Sequence, residues 1–291
     1  MNLRDVALIV FVMAVWGANF GFGKWGLEEL PPLLIMGLRF VLTAALLVPF
    51  FPLPRAQLGR IVLLSFTLGF VHFALMFTGM KHVDASTAAI AVQIQVPFSA
   101  LLAALFFNDK LGWRRALGMA LAFCGVVLLA GEPQTQSNLL YLGFVLMASM
   151  VWAVAAIQMK QISDIDPLAL NGWMAVFAAP QLLLGSLLLE DGHMAALAAA
   201  GWKGWGAIVY MAVAVTIIGY TLWMRMLRQY PVTQVMPFTL LAPVFGVLAG
   251  VAMLGESLSL LKILGGIVTI VGVAIITIRR PQQAQPTAPR S

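Results

Sequence analysis

The sequence predicts an all-α membrane protein of ten transmembrane helices, arranged as two inverted five-helix repeats around a central cavity. Three observations lead there: an apolar composition, ten long apolar runs joined by short connections, and a weak duplication whose halves hold an odd number of helices. Of 291 residues, 62% are apolar and 10% charged, against roughly a quarter charged in ordinary soluble domains. With its glycines included, that stock supplies about ten segments of the ~20 residues needed to cross ~30 Å of hydrocarbon. The net charge of +6 does not indicate a nucleic-acid binder, because lysine and arginine on a membrane protein usually sort by topology. Cys124 is the single cysteine, so neither an intrachain disulfide framework nor a thiolate metal cluster is available.

Apolar runs between charged or Pro/Gly breaks place helices at 4–23, 31–51, 60–80, 85–107, 114–130, 139–159, 168–189, 204–224, 232–254 and 260–278. The short connections leave no room for a soluble domain. The first run is too long for a signal-peptide core and carries Trp16, Asn19 and Lys24 where a small-residue cleavage site would fall, so it reads as retained. Residues 281–291, PQQAQPTAPRS, lack the apolar surface to fold and read as a disordered cytoplasmic tail.

A cytoplasmic N-terminus puts Arg4, Arg55, Arg60, Lys110, Arg114, Arg115, Lys160, Arg225, Arg228, Arg279, Arg280 and Arg290 inside, and only Lys24, Lys81, Lys203 and Lys262 outside. That bias satisfies the positive-inside rule, and an even helix count then places both termini inside.

The duplication divides the chain at 1–133 and 138–280. Trp16 and Lys24 match Trp152 and Lys160, and Pro31 matches Pro167, all at an offset of 136. Later in each half Pro97 matches Pro243, and Gly118 and Gly125 match Gly265 and Gly272. Five helices per half is odd, so the second half enters the membrane from the opposite side. Inverted halves can exchange two near-equivalent packings and expose one central site to either face, which is alternating access.

The run VWGANF at Val15 to Phe20, then Lys24, LPP at Leu30 to Pro32 and GLRF at Gly37 to Phe40, resembles the EamA family of the drug/metabolite transporter superfamily, closest to its O-acetylserine/cysteine exporter branch. The resemblance covers nearly the whole chain. GES at Gly255 to Ser257 is similar to the family's Gly-Glu element, whereas the first half has Asn108-Asp109-Lys110 there. The resemblance implies an inner-membrane exporter of small organic solutes, with a cavity lined by helices 1, 3, 4, 6, 8 and 9.

Among polar residues within the spans, Trp16, Asn19 and Phe20 share one face of helix 1 with Gly23, with Lys24 at its edge near the outer mouth. An Asn beside aromatic rings can hydrogen-bond a zwitterion. Gly17 and Gly21 form GxxxG on another side and read as helix packing. No acidic residue falls near the middle of a helix, which disfavours a carboxylate relay. His72 is the remaining titratable candidate: a proton carrier or, the favoured reading, a neutral His bonded to a neighbouring helix. Arg39 is either a carboxylate anchor or, again favoured, a structural base paired with a loop acid or a helix C-terminus.

Gln93 and Gln95 precede Pro97 and point about 200° apart unless the helix is distorted, so one lines the cavity and the other binds a neighbour. Pro243, preceded by Pro237, makes helix 9 similarly irregular, and paired broken helices point to a binding site. Trp152, Gln158, Tyr220 and Trp223 are the second-half candidates, with Trp152 and Gln158 about 120° apart on a helical wheel. Met76 completes the set, although Met and Phe on helix 3 also suit plain packing. The partners expected are a small-molecule substrate and the lipid bilayer, with no nucleic acid and no cofactor or metal. The coupling proton and the oligomeric state stay open. Amino-acid-like metabolites are the leading solutes, with aromatic amino acids or drug-like amphiphiles as the alternative. A membrane-embedded enzyme is the rival class, but HExxH and GxSxG motifs are absent and the three histidines are dispersed.

Overall fold

A computed structural model describes residues 1–107, 112–132, 138–162 and 165–278. The Asn108-Asp109-Lys110 element and the 281–291 tail lie outside the described residues. Within them ten helices are long and apolar enough to cross a membrane, and no strand is present. They are α1 (Leu3–Glu29), α2 (Pro32–Phe50), α3 (Arg55–His82), α4 (Ala85–Leu102), α5 (Trp113–Ala130), α6 (Leu139–Met159), α7 (Pro167–Leu189), α8 (Trp202–Gln229), α9 (Met236–Leu254) and α10 (Leu260–Thr277). A short helix, His193–Ala199, precedes α8. The ten predicted runs are all found, but α1, α3 and α8 extend beyond them. Polar residues such as Lys24, Lys81 and Arg225 remain helical because their ends snorkel or find partners at the helix termini.

Two features were not legible as breaks. Ser65–His72 in α3 and Tyr210–Gly219 in α8 are π-helical, and each ends just before an aromatic residue, Phe73 and Tyr220. The expected irregularity of α4 and α9 takes the form of 3₁₀ turns, Val92–Ile94 and Met236–Leu240, before Pro97 and Pro243. Proline lacks an N–H to return to the preceding turn, so that turn tightens or opens.

The helices pair as α2 with α7, α5 with α10, α1 with α9, α4 with α6, α3 with α6 and α1 with α8. Glycine permits the closest approaches. On α5, a Cβ at Gly118 would lie 2.7 Å from the Gly272 carbonyl oxygen, and one at Gly125 would lie 2.6 Å from that of Gly265. Gly17 and Gly21 likewise fit against Phe245 and Met253 of α9. Water supplies no driving force between helices in lipid, so such contacts rest on van der Waals packing.

Helix ends gather on two faces. On one, Glu190 accepts from the amides of Leu33 and Leu34 at the start of α2 (2.8 and 3.2 Å), and Glu29 from those of Gly201 and Gly204 around the start of α8 (2.8 and 2.7 Å). Glu256 does the same for Ala85 and Ser86 of α4, at 2.5 and 2.9 Å. Each carboxylate satisfies orphan N–H groups at a positive helix end. The Gly-Glu element is thus a cap: Gly255, at φ +68°, turns the chain so that Glu256 reaches α4. Lys262, 1% exposed, donates to Asp84 at 2.7 Å on the same face. On the opposite face Arg60 donates to the Gln161 carbonyl at 2.9 Å and Tyr230 to the Asp5 carboxylate at 2.6 Å. That bond to Asp5 holds the Tyr230 phenol above its ordinary pKa.

Candidate functional site

Packing of α1 on α9 through Gly17 and Gly21 leaves the Trp16 face turned to α8. The Trp16 indole N–H donates to the Val215 carbonyl at 3.4 Å. Its ring centroid lies 5.5 Å from Tyr220 and 5.4 Å from Trp223. Gly219 makes this possible, because a Cβ there would stand 2.6 Å from the indole nitrogen. One turn along α1, Asn19 Oδ1 is buried with no hydrogen-bond partner, an unusual state for a buried polar atom. Phe20 packs beside Gly246 of α9.

A related grouping joins α3 to α6. His72, closing the first π segment, lies 5.3 Å from Trp152 and 4.8 Å from Phe73. Its Nδ1 is 2.9 Å from the Ala148 carbonyl on α6, so Nδ1–H donates there. This geometry supports the structural role for His72. His72→Gln, which keeps a donor, is expected to leave the pH dependence of transport unchanged; a flattened profile would assign it the proton. Met76 is buried in the core between α3 and its neighbours.

A cleft of 290 Å³ opens between the start of α7 and the end of α8, lined by Asp166, Leu168, Tyr220, Thr221, Met224 and Arg228 among others. Its lining comes from the start of α7 and from α8 alone, so of the six helices that the family plan places around the cavity only α8 contributes to this cleft. Tyr220 belongs both to this cleft and to the Trp16 cluster. At the rim Arg228 and Asp166 stand 3.8 Å apart and largely exposed, an ion pair of ~0–1 kcal/mol at most.

The remaining candidates separate. Gln158 donates to Thr67 on α3 at 3.1 Å, far from Trp152 along α6, and its Oε1 is buried without a partner. Gln93 is buried and Gln95 half-buried, and Pro97 and Pro243 are both buried at their irregular turns. Lys24 does not face an open mouth: its ammonium donates to the carbonyls of Met80, Lys81 and Val83 at 2.8, 2.9 and 2.7 Å, which caps the end of α3. Three acceptors account for all three of its hydrogens. Among the described residues Arg39 pairs with neither a loop acid nor a helix C-terminus. Its Nη2 donates to Thr216 Oγ1 at 3.3 Å and its guanidinium faces the rings of Phe73 (4.9 Å) and Phe40 (5.4 Å). Sequence reasoning missed Thr216 and read Phe73 as plain packing; both gain a role only once Arg39 is placed between α3 and α8. Among the described residues no cluster of His, Cys, Asp or Glu could hold a metal ion.

Ten apolar helices with a polar-aromatic interior and no soluble domain define a multi-pass membrane protein, and the comparisons define its class as a transporter. The EamA-like transporter family matches residues 4–131 and again 139–278, and the chain belongs to that family. It is 32% identical over 284 residues to a Salmonella typhimurium protein named "Probable amino-acid metabolite efflux pump", covering 94% of this chain and 95% of that one. A protein of the same name from Escherichia coli is 30% identical over the same shares. A crystallised chain at 16% identity shares the fold, with a TM-score of 0.62 over 95% of this chain and 98% of its own.

Proposed function

We propose that the chain exports small amino-acid-like metabolites across a bacterial inner membrane by alternating access, with both termini cytoplasmic. The two repeats, 1–133 and 138–280, are read as inverted halves. Support comes from the pairing of helices: exchanging each helix for the one five later maps α1 with α9 onto α6 with α4, and α1 with α8 onto α6 with α3. The π segments of α3 and α8 and the 3₁₀ turns of α4 and α9 fall at matching places. Near-equivalent halves provide the two packings that alternating access needs.

The single observation that carries the reading is the Trp16–Tyr220–Trp223 cluster, whose Tyr220 also lines the cleft, with the unpartnered Asn19 oxygen one turn along α1. Aromatic rings with a lone amide accommodate the apolar body and the ammonium of a small zwitterion. The cleft lies at the end of the bundle opposite the carboxylate-capped one, beside Arg225 and Arg228. Under the positive-inside reading that is the cytoplasmic side, where an exporter loads.

Trp16→Ala and Asn19→Ala are each expected to lower transport on the order of tenfold while leaving membrane insertion intact, since a ring–ammonium contact or a hydrogen bond to the solute is worth about 1–2 kcal/mol. Normal flux in the double variant would remove α1 from the site. Efflux from reconstituted vesicles, tested on cysteine, acetylated serine and aromatic amino acids with and without a pH gradient, decides the solute. Transport of at least one is expected, and transport of none would overturn the proposal.

A further inference from the structure

We propose that Arg39 anchors the carboxylate of the transported solute, so that the site accepts small carboxylates, amino acids among them, and rejects the same molecules as esters. The inference rests on reading the chain as a solute carrier. Arg39 lies well inside α2 and is 5% exposed. None of the described ion pairs includes it. Its Nε and Nη1 are buried without any hydrogen-bond partner. A guanidinium stays charged and carries five donors, and a buried charge with no counter-ion is strongly unfavourable. A fold that served only packing would have an apolar residue here.

The unpartnered donors fit one kind of ligand. Thr216 Oγ1 donates to the Met211 carbonyl at 2.9 Å, so toward Arg39 it acts as an acceptor and takes a single Nη2 hydrogen. The other hydrogen of Nη2 points along the opposite edge of the plane, beside an unpartnered N–H of Nε or Nη1. That edge presents two parallel donors, the fork that fits a carboxylate. Phe73 and Phe40 cover the guanidinium by cation–π contacts, which offset its charge only in part and form no hydrogen bonds.

Position supports the same role. Phe73 and Tyr220 are the first residues after the π segments of α3 and α8, and the guanidinium is against Phe73. Such segments concentrate at functional sites. Tyr220 also lines the cleft, and Thr216 is one turn before it on the same face of α8. Tyr220 thus joins the cleft lining to the α8 face that holds Arg39, and its movement is the route proposed for a solute from one to the other.

The test is thermal stabilisation of the purified full chain in detergent by cysteine, cysteine methyl ester and propionate, for wild type, Arg39→Lys and Arg39→Gln. Cysteine and propionate are expected to raise the melting temperature saturably and the ester is not. Arg39→Lys, which keeps the charge but loses the fork, is expected to weaken acid binding about ten- to a hundredfold. Acid and ester binding alike, or Arg39→Lys binding acids as wild type does, would overturn the anchor. If either variant fails to fold, the wild-type comparison of acid with ester decides. Propionate binding that depends on Arg39 without any cysteine binding would keep the anchor and remove the amino-acid reading. Cysteine binding indifferent to Arg39 and to esterification would do the reverse, and binding of no probe would overturn both.

Discussion

Gly125→Leu is expected to abolish folded protein or lower its stability by about 3 kcal/mol or more, at the upper end of overpacking effects. A Cβ at this position would lie 2.6 Å from both the Gly265 carbonyl oxygen and the Thr269 amide nitrogen, and would also collide with Thr269 Oγ1. Two of those obstacles are backbone, which cannot rotate away. The added side chain therefore has to push α5 from α10, and dispersion falls steeply over such a gap. Because association in lipid rests on this packing, separation has no hydrophobic compensation. The check is the melting temperature and monodisperse yield in detergent, with Gly143→Leu as control, since nothing lies within 4 Å of a Cβ at Gly143. A wild-type melting profile for Gly125→Leu would contradict the seam.

Asp84→Asn is expected to cost about 3 kcal/mol, the low end for removing one partner of a buried ion pair. Lys262 is nearly inaccessible and would lose its ion-pair partner, keeping only neutral acceptors: the Ser257 carbonyl at 3.1 Å and the new amide oxygen. The low end applies because the Asp84 side chain is 30% exposed, so water already screens part of the pair. Combining Asp84→Asn with Lys262→Met removes the stranded charge and should recover most of the loss. Equal melting temperatures for wild type and Asp84→Asn would show that the pair does not hold α4 to α10.

The ten helices were readable because run length and polarity alone decide which segments can enter hydrocarbon. Pro97 and Pro243 were readable as sites of irregularity for an equally local reason, the missing N–H. The π segments were not, since SFTLGFVH and YMAVAVTIIG contain no residue that forces a widened turn. Lys262 looked like a loop charge that sets topology, and its burial depends on Asp84, 178 residues away. The caps by Glu29, Glu190 and Glu256 join residues 156 to 175 positions apart, beyond any spacing pattern. Arg39 stood out in the sequence as an arginine inside a span. That it faces Thr216 and Phe73 rather than an acid follows from how α2 packs against α3 and α8, which no local pattern encodes. Lys24 misled for the same reason: its acceptors belong to another helix.

The central claim is that two near-equivalent halves alternate one small-solute site between the two faces of the membrane. Counterflow in proteoliposomes tests it most directly. Vesicles loaded with unlabelled cysteine, or with whichever solute the efflux panel identifies, are diluted into a trace of labelled solute, and internal label is followed with time. Alternating access predicts transient uphill accumulation of label that saturates with solute. Equilibration with no overshoot, as through an open pore, would contradict it.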